Sequence, residues 1–329
     1  MNVLFLLGNG FDLQLGLKTR YEHFYEYYKK QPSTNQLVAD VKGQINDYLN
    51  GKGSDLPSVN WADLELALGQ YTSVLQSYDD LRTVFLNINT ELMKYLKQQE
   101  RMFTRDEALL SKIRQDFCEP EKYLSINQKR KYQDLIDGTT GLSILTLNYT
   151  HLPKIVFDKK TPPNNSKGGS TNLAGITHIH GDLDMQNVFL GVNDPSQIAN
   201  AALRDLLPCQ RMLVKPSANN MIDNQRMNHM RSMINNAKVI VIYGASLGDS
   251  DLLWREMLKK KVEGLNTYFL IVEYKDGLNN VWDQSDEEDK ARETFLRKLG
   301  IEDISKYQNN VFVAVTKSMF NICQVSIDT

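Results

Sequence analysis

A set of short apolar runs that do not alternate with polar residues constrains this chain more than any other feature. They lie at about 2–7, 143–147, 176–180, 187–190, 238–243, 267–272 and 311–315. Continuous apolar strands are expected where both faces of a sheet are covered, which is the situation of parallel sheets flanked by helices. Several of these runs also break in the same way. The first passes directly into Gly8-Asn9-Gly10-Phe11-Asp12, and three others end at Asn148-Tyr149-Thr150, His178-Ile179-His180-Gly181-Asp182 and Gly244-Ala245-Ser246-Leu247-Gly248-Asp249. In a parallel sheet these four polar ends would meet at the carboxyl edge, where ligands of α/β folds bind.

The chain of 329 residues carries a net charge of −2, so its charge balance points neither to nucleic acid nor to an anionic membrane. Cys118, Cys209 and Cys323 are far apart, which argues against disulfides and zinc and fits a reducing, cytoplasmic setting. No apolar stretch approaches the ~20 residues of a membrane helix, and residues 1–8 lack the basic start of a signal peptide.

Between the first two strands lies a long helical block. Thr19 and Glu22 fit a capping box, Asn60 with Asp63 can cap a helix carrying Leu64, Leu68 and Tyr71, and Leu81, Phe85, Ile88, Leu92 and Leu96 mark a third helix. The expected organisation is a Rossmann-like sheet domain, 1–13 and 142–329, interrupted by an all-helical lobe, 14–141, over the carboxyl edge.

Several candidate site residues have plain structural alternatives. Asp12 could close an Asx-turn, Asn148 could cap a helix, and Trp61 with Glu65 reads as core packing plus a surface acid. His178, two residues before His180 on the same strand face, reads as support. The segment Gly244-Ala245-Ser246-Leu247-Gly248 also fits a nucleophile elbow, whose triad needs a histidine downstream of the serine. The last histidine is His229, so that reading is excluded.

The motifs Gly8-Asn9-Gly10-Phe11-Asp12, Trp61-Ala62-Asp63-Leu64-Glu65, Asn148-Tyr149-Thr150, His178-Ile179-His180-Gly181 and Gly244-Ala245-Ser246-Leu247 together resemble the bacterial abortive-infection AbiH family. That family looks distantly similar to the sirtuin-like antiphage domains that hydrolyse NAD, and the resemblance implies a sirtuin-like Rossmann sheet. It places the chemistry on Asn148 and His180. The chain departs from true sirtuins in lacking a four-cysteine zinc ribbon and in its first loop.

An NAD glycohydrolase must grip the ribose, tolerate oxocarbenium character and aim a water. An amide at Asn148 and an imidazole at His180 suit those tasks. Gly8 and Gly10 would admit the pyrophosphate beside Asn9, Phe11 and Asp12; Gly181 would leave approach to His180 open; Gly244, Ser246 and Asp249 would contact the adenosine half. On this view valine at Gly10 obstructs ligand at modest cost in stability. NAD is expected as substrate without a metal, with a phage-derived or host trigger, and homo-oligomer formation is left open. The rival readings are a nucleotide-sensing or partner-binding module without catalysis, and a metal-dependent hydrolase using His178 and His180 with Asp182 or Asp184.

Overall fold

A computed structural model describes residues 1–51, 59–158, 160–184, 189–215, 217, 224–248, 252–275 and 281–322. The chain is α/β, with six parallel strands: β1 (Asn2–Leu7), β2 (Thr140–Thr146), β3 (Thr171–His178), β4 (Val239–Tyr243), β5 (Tyr268–Glu273) and β6 (Val311–Val315). Their order across the sheet is β3-β2-β1-β4-β5-β6. This is the doubly wound, Rossmann-like order, with the switch point between β1 and β4.

The apolar runs form strands because both faces are covered. Val3, Phe5 and Leu7 pack on one face with Phe11 of α1 (Asn9–Gln14), and with Ile113 and Phe117 of a helix at Glu107–Cys118. Leu4 and Leu6 pack on the other, against Met230, Trp254 and Phe295 of the helices Asn224–Asn236, Leu252–Glu263 and Val281–Lys298. The acidic segment 283–289, whose composition suggests a solvated approach to the last helix, lies inside the helix Val281–Lys298 itself. Phe189 and Leu190 are not in a strand; residues 187 and 188 lie outside the described residues.

The helices of residues 14–141 do not share one core. Four of them, α2 (Tyr21–Tyr28), α3 (Gln36–Leu49), α4 (Leu64–Tyr71) and α5 (Tyr78–Met102), build a lobe. Its core is centred on Tyr25, Tyr28, Ile45, Trp61, Leu68 and Ile88, and it also takes in Leu183, Val192, Leu203 and Leu213 from beyond β3. The remainder, with Ile113, Phe117 and Tyr132, packs on the sheet. The lobe core therefore draws on two separate stretches of the chain.

Local capping partly follows the residue types. Asp63 caps α4 by accepting from the backbone N–H of Glu65 and Leu66, and Ser77 with Asp80 forms a capping box on α5. Thr19 does not cap α2, whose N-cap is Arg20 without a side-chain bond; its hydroxyl donates instead to Asn9 Oδ1 at 2.5 Å.

Candidate functional site

Parallel pairing puts Leu7, Thr146, His178 and Tyr243 in one row across β1, β2, β3 and β4. The four polar strand ends begin just beyond that row, on four adjacent strands. They line one cavity of about 540 Å3, with Gly8, Asn9, Gly10 and Asp12 from β1, Asn148 and Thr150 from β2, His180 from β3, and Gly244 to Ser246 from β4. The lobe closes the other side with Tyr21, Glu22, Asp63, Glu65, Leu92 and Leu96. A site at the carboxyl edge, next to the switch point, is where the fold alone would place it.

Asn148 is held from behind. Its Nδ2 donates to the Gly8 carbonyl at 3.0 Å and to Asp12 Oδ1 at 2.8 Å. The Thr150 hydroxyl donates to Asp12 Oδ2 at 2.7 Å. All three side chains are buried. Burial pushes the Asp12 carboxyl up to about 7, against the two hydrogen bonds that favour its charge, with Glu100 adding a smaller upward push. Asp12 thus neither closes a solvent-exposed turn nor stands alone; it joins the loops after β1 and β2.

His180 is 4 % exposed, and neither ring nitrogen has a hydrogen-bond partner among the described residues. Burial, reinforced by the charges of Lys215 and Arg226, holds its proton affinity well below the ordinary histidine range, so the ring is neutral. An unpartnered buried imidazole costs on the order of 1–3 kcal/mol, and such groups mark places where a ligand or water completes the bonding. His178 has a different setting. Its Nδ1–H donates to the Asn148 carbonyl at 2.9 Å, and burial lowers its value to about 4. It therefore supports the backbone that carries Asn148.

Other expected ligand groups fall into structural places. The Gly8 N–H donates to the Tyr243 carbonyl at 2.9 Å and the Gly10 N–H to the Gly244 carbonyl at 3.0 Å, so neither is left to meet a phosphate. A Cβ on Gly8 would lie 2.4 Å from Ala245 Cα, and one on Gly10 would lie 2.5 Å from Gly244 Cα. These glycines let two strand-end loops touch. Phe11 is fully buried against Phe117 and Phe320, which makes it a core residue. Both ends of the Asn9 amide are bonded to Thr19. Gly181 takes a left-handed φ of +82° that turns the chain after His180, and it is not among the cavity-lining residues. Ser246 lines the cavity, while Asp249 lies outside the described residues.

Three features of the site were not expected. Glu65 is buried, and its Oε2 lies 2.6 Å from Lys215 Nζ, a cavity-lining pair rather than a surface acid. Only the apolar neighbours Leu64 and Leu66 hinted at burial. Thr150 completes the Asp12 bond set. Finally, His151 joins the lobe to the sheet: its backbone N–H and Nδ1 bond the Glu100 carboxylate at the end of α5. Its Nε2 lies 3.3 Å from Asp184 and 3.6 Å from Asp182. The bond to Glu100 raises the His151 proton affinity. Among the described residues, His151, Asp182 and Asp184 come within metal-ligand reach of one another, and His178 and His180 do not join such a group. Lys154 Nζ already sits 2.6 Å from Asp182.

The two lowered histidines predict acid lability. A group that stays neutral in the fold gives stability that is present above its unfolded pKa of ~6.5 and is lost as pH falls toward the folded value. For His178, with its folded value about 4, the loss at pH 4 is on the order of 3 kcal/mol. His151 has the opposite sign, its raised value favouring the fold at lower pH. Thermal melts of His178→Gln and the parent between pH 7.5 and 4.5 should converge as pH falls, because the variant lacks that loss. A constant gap would refute the assignment.

The fold and the cavity together define a Rossmann-like protein with a cavity on the carboxyl edge of its sheet, under a helical lobe. The family model described as bacteriophage abortive infection AbiH matches residues 4–273, and the chain belongs to that family. The matched span contains the row of strand ends, the lobe and every cavity residue named above, and stops before the last helix and β6. Comparison with curated proteins gave no match. No helix among the described residues is long and apolar enough to cross a membrane.

Proposed function

We propose that this abortive-infection protein acts by hydrolysing the nicotinamide–ribose bond of NAD, releasing nicotinamide and ADP-ribose. The observation that carries the reading is His180: a neutral imidazole, buried on the cavity wall, with neither nitrogen bonded to a described residue. The pyridinium is already a cationic leaving group, so the protein's tasks are to hold the ribose, bear oxocarbenium character and direct a water. Asn148 meets the first with a carboxamide oxygen; its amide hydrogens are already used on Gly8 and Asp12. His180 meets the last as a base available without prior deprotonation. The lobe closes the cavity on the side away from the sheet, which would exclude bulk water and provide a place for a trigger to act.

The Gly8 and Gly10 amides do not contribute to this reading, since both are bonded within the protein. Incubation of the purified protein with NAD, following nicotinamide release with and without EDTA, tests the proposal. Release that survives EDTA is the expected result. Release abolished by EDTA and restored by a divalent cation would transfer the chemistry to the group of His151, Asp182 and Asp184. Tight NAD binding without release, in the presence of the activating trigger, would favour a sensing module.

A further inference from the structure

Asp12 is a buried carboxylate whose hydrogen-bond donors are both neutral, the Asn148 amide and the Thr150 hydroxyl. Among the described residues no cation pairs with it. The charged groups around it do not supply one. Glu100 of α5 approaches as a second negative charge and is itself bonded to His151. On the cavity wall, Lys215 is taken by Glu65, and Arg20 faces the same space as Glu22 and Asp63. His180 is neutral, and Tyr21 and Tyr149 add phenols. A buried anion with no counter-ion is costly, and in a cavity it is relieved by a ligand that brings positive charge.

The same carboxylate, together with the Gly8 carbonyl, fixes the orientation of the Asn148 amide. The Gly8 carbonyl can only accept, so the Asn148 Nδ2 must face it, and the second amide hydrogen goes to Asp12. Oδ1 is then the remaining polar atom of a cavity-lining side chain, and it accepts no bond from a described residue.

We propose that Asp12 is the positioning residue and the anionic counter-charge of the cavity, turning the Asn148 oxygen toward the ligand and favouring a cationic, oxidised nicotinamide dinucleotide over its neutral, reduced form. This rests on the NAD reading of the site. Because the Asp12 carboxyl titrates at about 7 in the unliganded protein, binding of the oxidised form near neutrality displaces its proton into solvent. The reduced form carries no ring charge and displaces none. By the same linkage, affinity for the oxidised form rises with pH through 7, and affinity for the reduced form does not.

The test is calorimetric titration into the parent protein at pH 7 in two buffers of different ionisation enthalpy, repeated with Asp12→Asn. NADH is the reduced ligand, and a non-hydrolysable carbocyclic analogue stands for NAD+ throughout, because hydrolysis of NAD+ would itself release a proton. The asparagine keeps an acceptor for Asn148 and a bond to Thr150 but has no charge and no proton to lose. The parent should release protons with NAD+ and none with NADH. In the variant the release should vanish, and the preference for NAD+ should fall by about tenfold or more, equivalent to one unit of coupling. Equal affinities and no proton release in the parent would overturn the role of Asp12 while leaving NAD as the ligand. If neither dinucleotide binds, the NAD reading itself fails. Should the Asp12 variant not fold, Thr150→Val provides the second test. Losing the hydroxyl donor raises the Asp12 value further and should move the pH dependence of NAD+ binding upward; an unmoved dependence refutes the proposal.

Discussion

Gly10→Val is expected to unfold or severely destabilise the protein, with NAD affinity unmeasurable because too little native protein remains. Its Cβ would lie 2.5 Å from Gly244 Cα and 3.2 Å from the Gly244 carbonyl oxygen, which is backbone and cannot swing aside as a flexible side chain could. Overpacking a tight site ordinarily costs ~1–3 kcal/mol, and here the clash also pulls apart the Gly10 N–H bond to Gly244, so a loss at or above the upper end is expected. The valine would thus act through the contact between the β1 and β4 loops rather than by obstructing a phosphate. Gly43→Ala is the control. Gly43 lies within α3 with nothing within 4 Å of a built Cβ, so alanine there should raise stability by roughly 0.5–1 kcal/mol. Chemical denaturation of both variants checks the pair. A Gly10→Val protein as stable as its parent would mean that the two loops separate without cost.

The contrast shows what a sequence can and cannot display. The strands were legible because burial on both faces writes an unbroken apolar run, as in Val3–Leu7 and Val239–Tyr243. The start of β3 was not, because Thr171-Asn172-Leu173-Ala174-Gly175 belongs to an edge strand whose residues are partly exposed. The convergence of Gly8, Asn148, His180 and Gly244 was legible for a topological reason: a parallel sheet puts every such end on one edge. What each residue does there was not legible. The glycine motif looks the same whether its amides meet a phosphate or a neighbouring loop. The Glu65–Lys215 pair joins residues 150 positions apart, and Asp12 meets Asn148 across 136, so no local pattern could announce either bond. Arranging the helices around cores likewise needed long-range contacts, since helical spacing in Phe117 and in Leu68 is alike, although one faces the sheet and the other the lobe.

His180→Gln is expected to lower NAD turnover by ~100-fold or more while leaving ligand affinity and stability nearly unchanged, the range associated with loss of one acid–base group. Glutamine keeps polarity and approximate volume, but its amide is a far weaker base than an imidazole, even one whose proton affinity burial has lowered. Stability should not suffer, because the parent ring makes no hydrogen bond to a described residue that the variant could lose. His178→Gln provides the comparison. That ring bonds the Asn148 carbonyl from behind the cavity, so its loss should cost far less turnover. The pH profile separates the two carboxyl-edge titrations. Since His180 is held well below the usual histidine range, its protonation cannot produce an acid limb near 6.5. A limb near 7 belongs to Asp12, whose ionised form is populated above it, and it should persist in the residual activity of His180→Gln and disappear in Asp12→Asn. Equal turnover losses at His178 and His180 would remove the distinction between base and support. A full parental rate in His180→Gln would show that the attacking water needs no base from β3, leaving Asn148 and the Asp12 charge to carry the reaction.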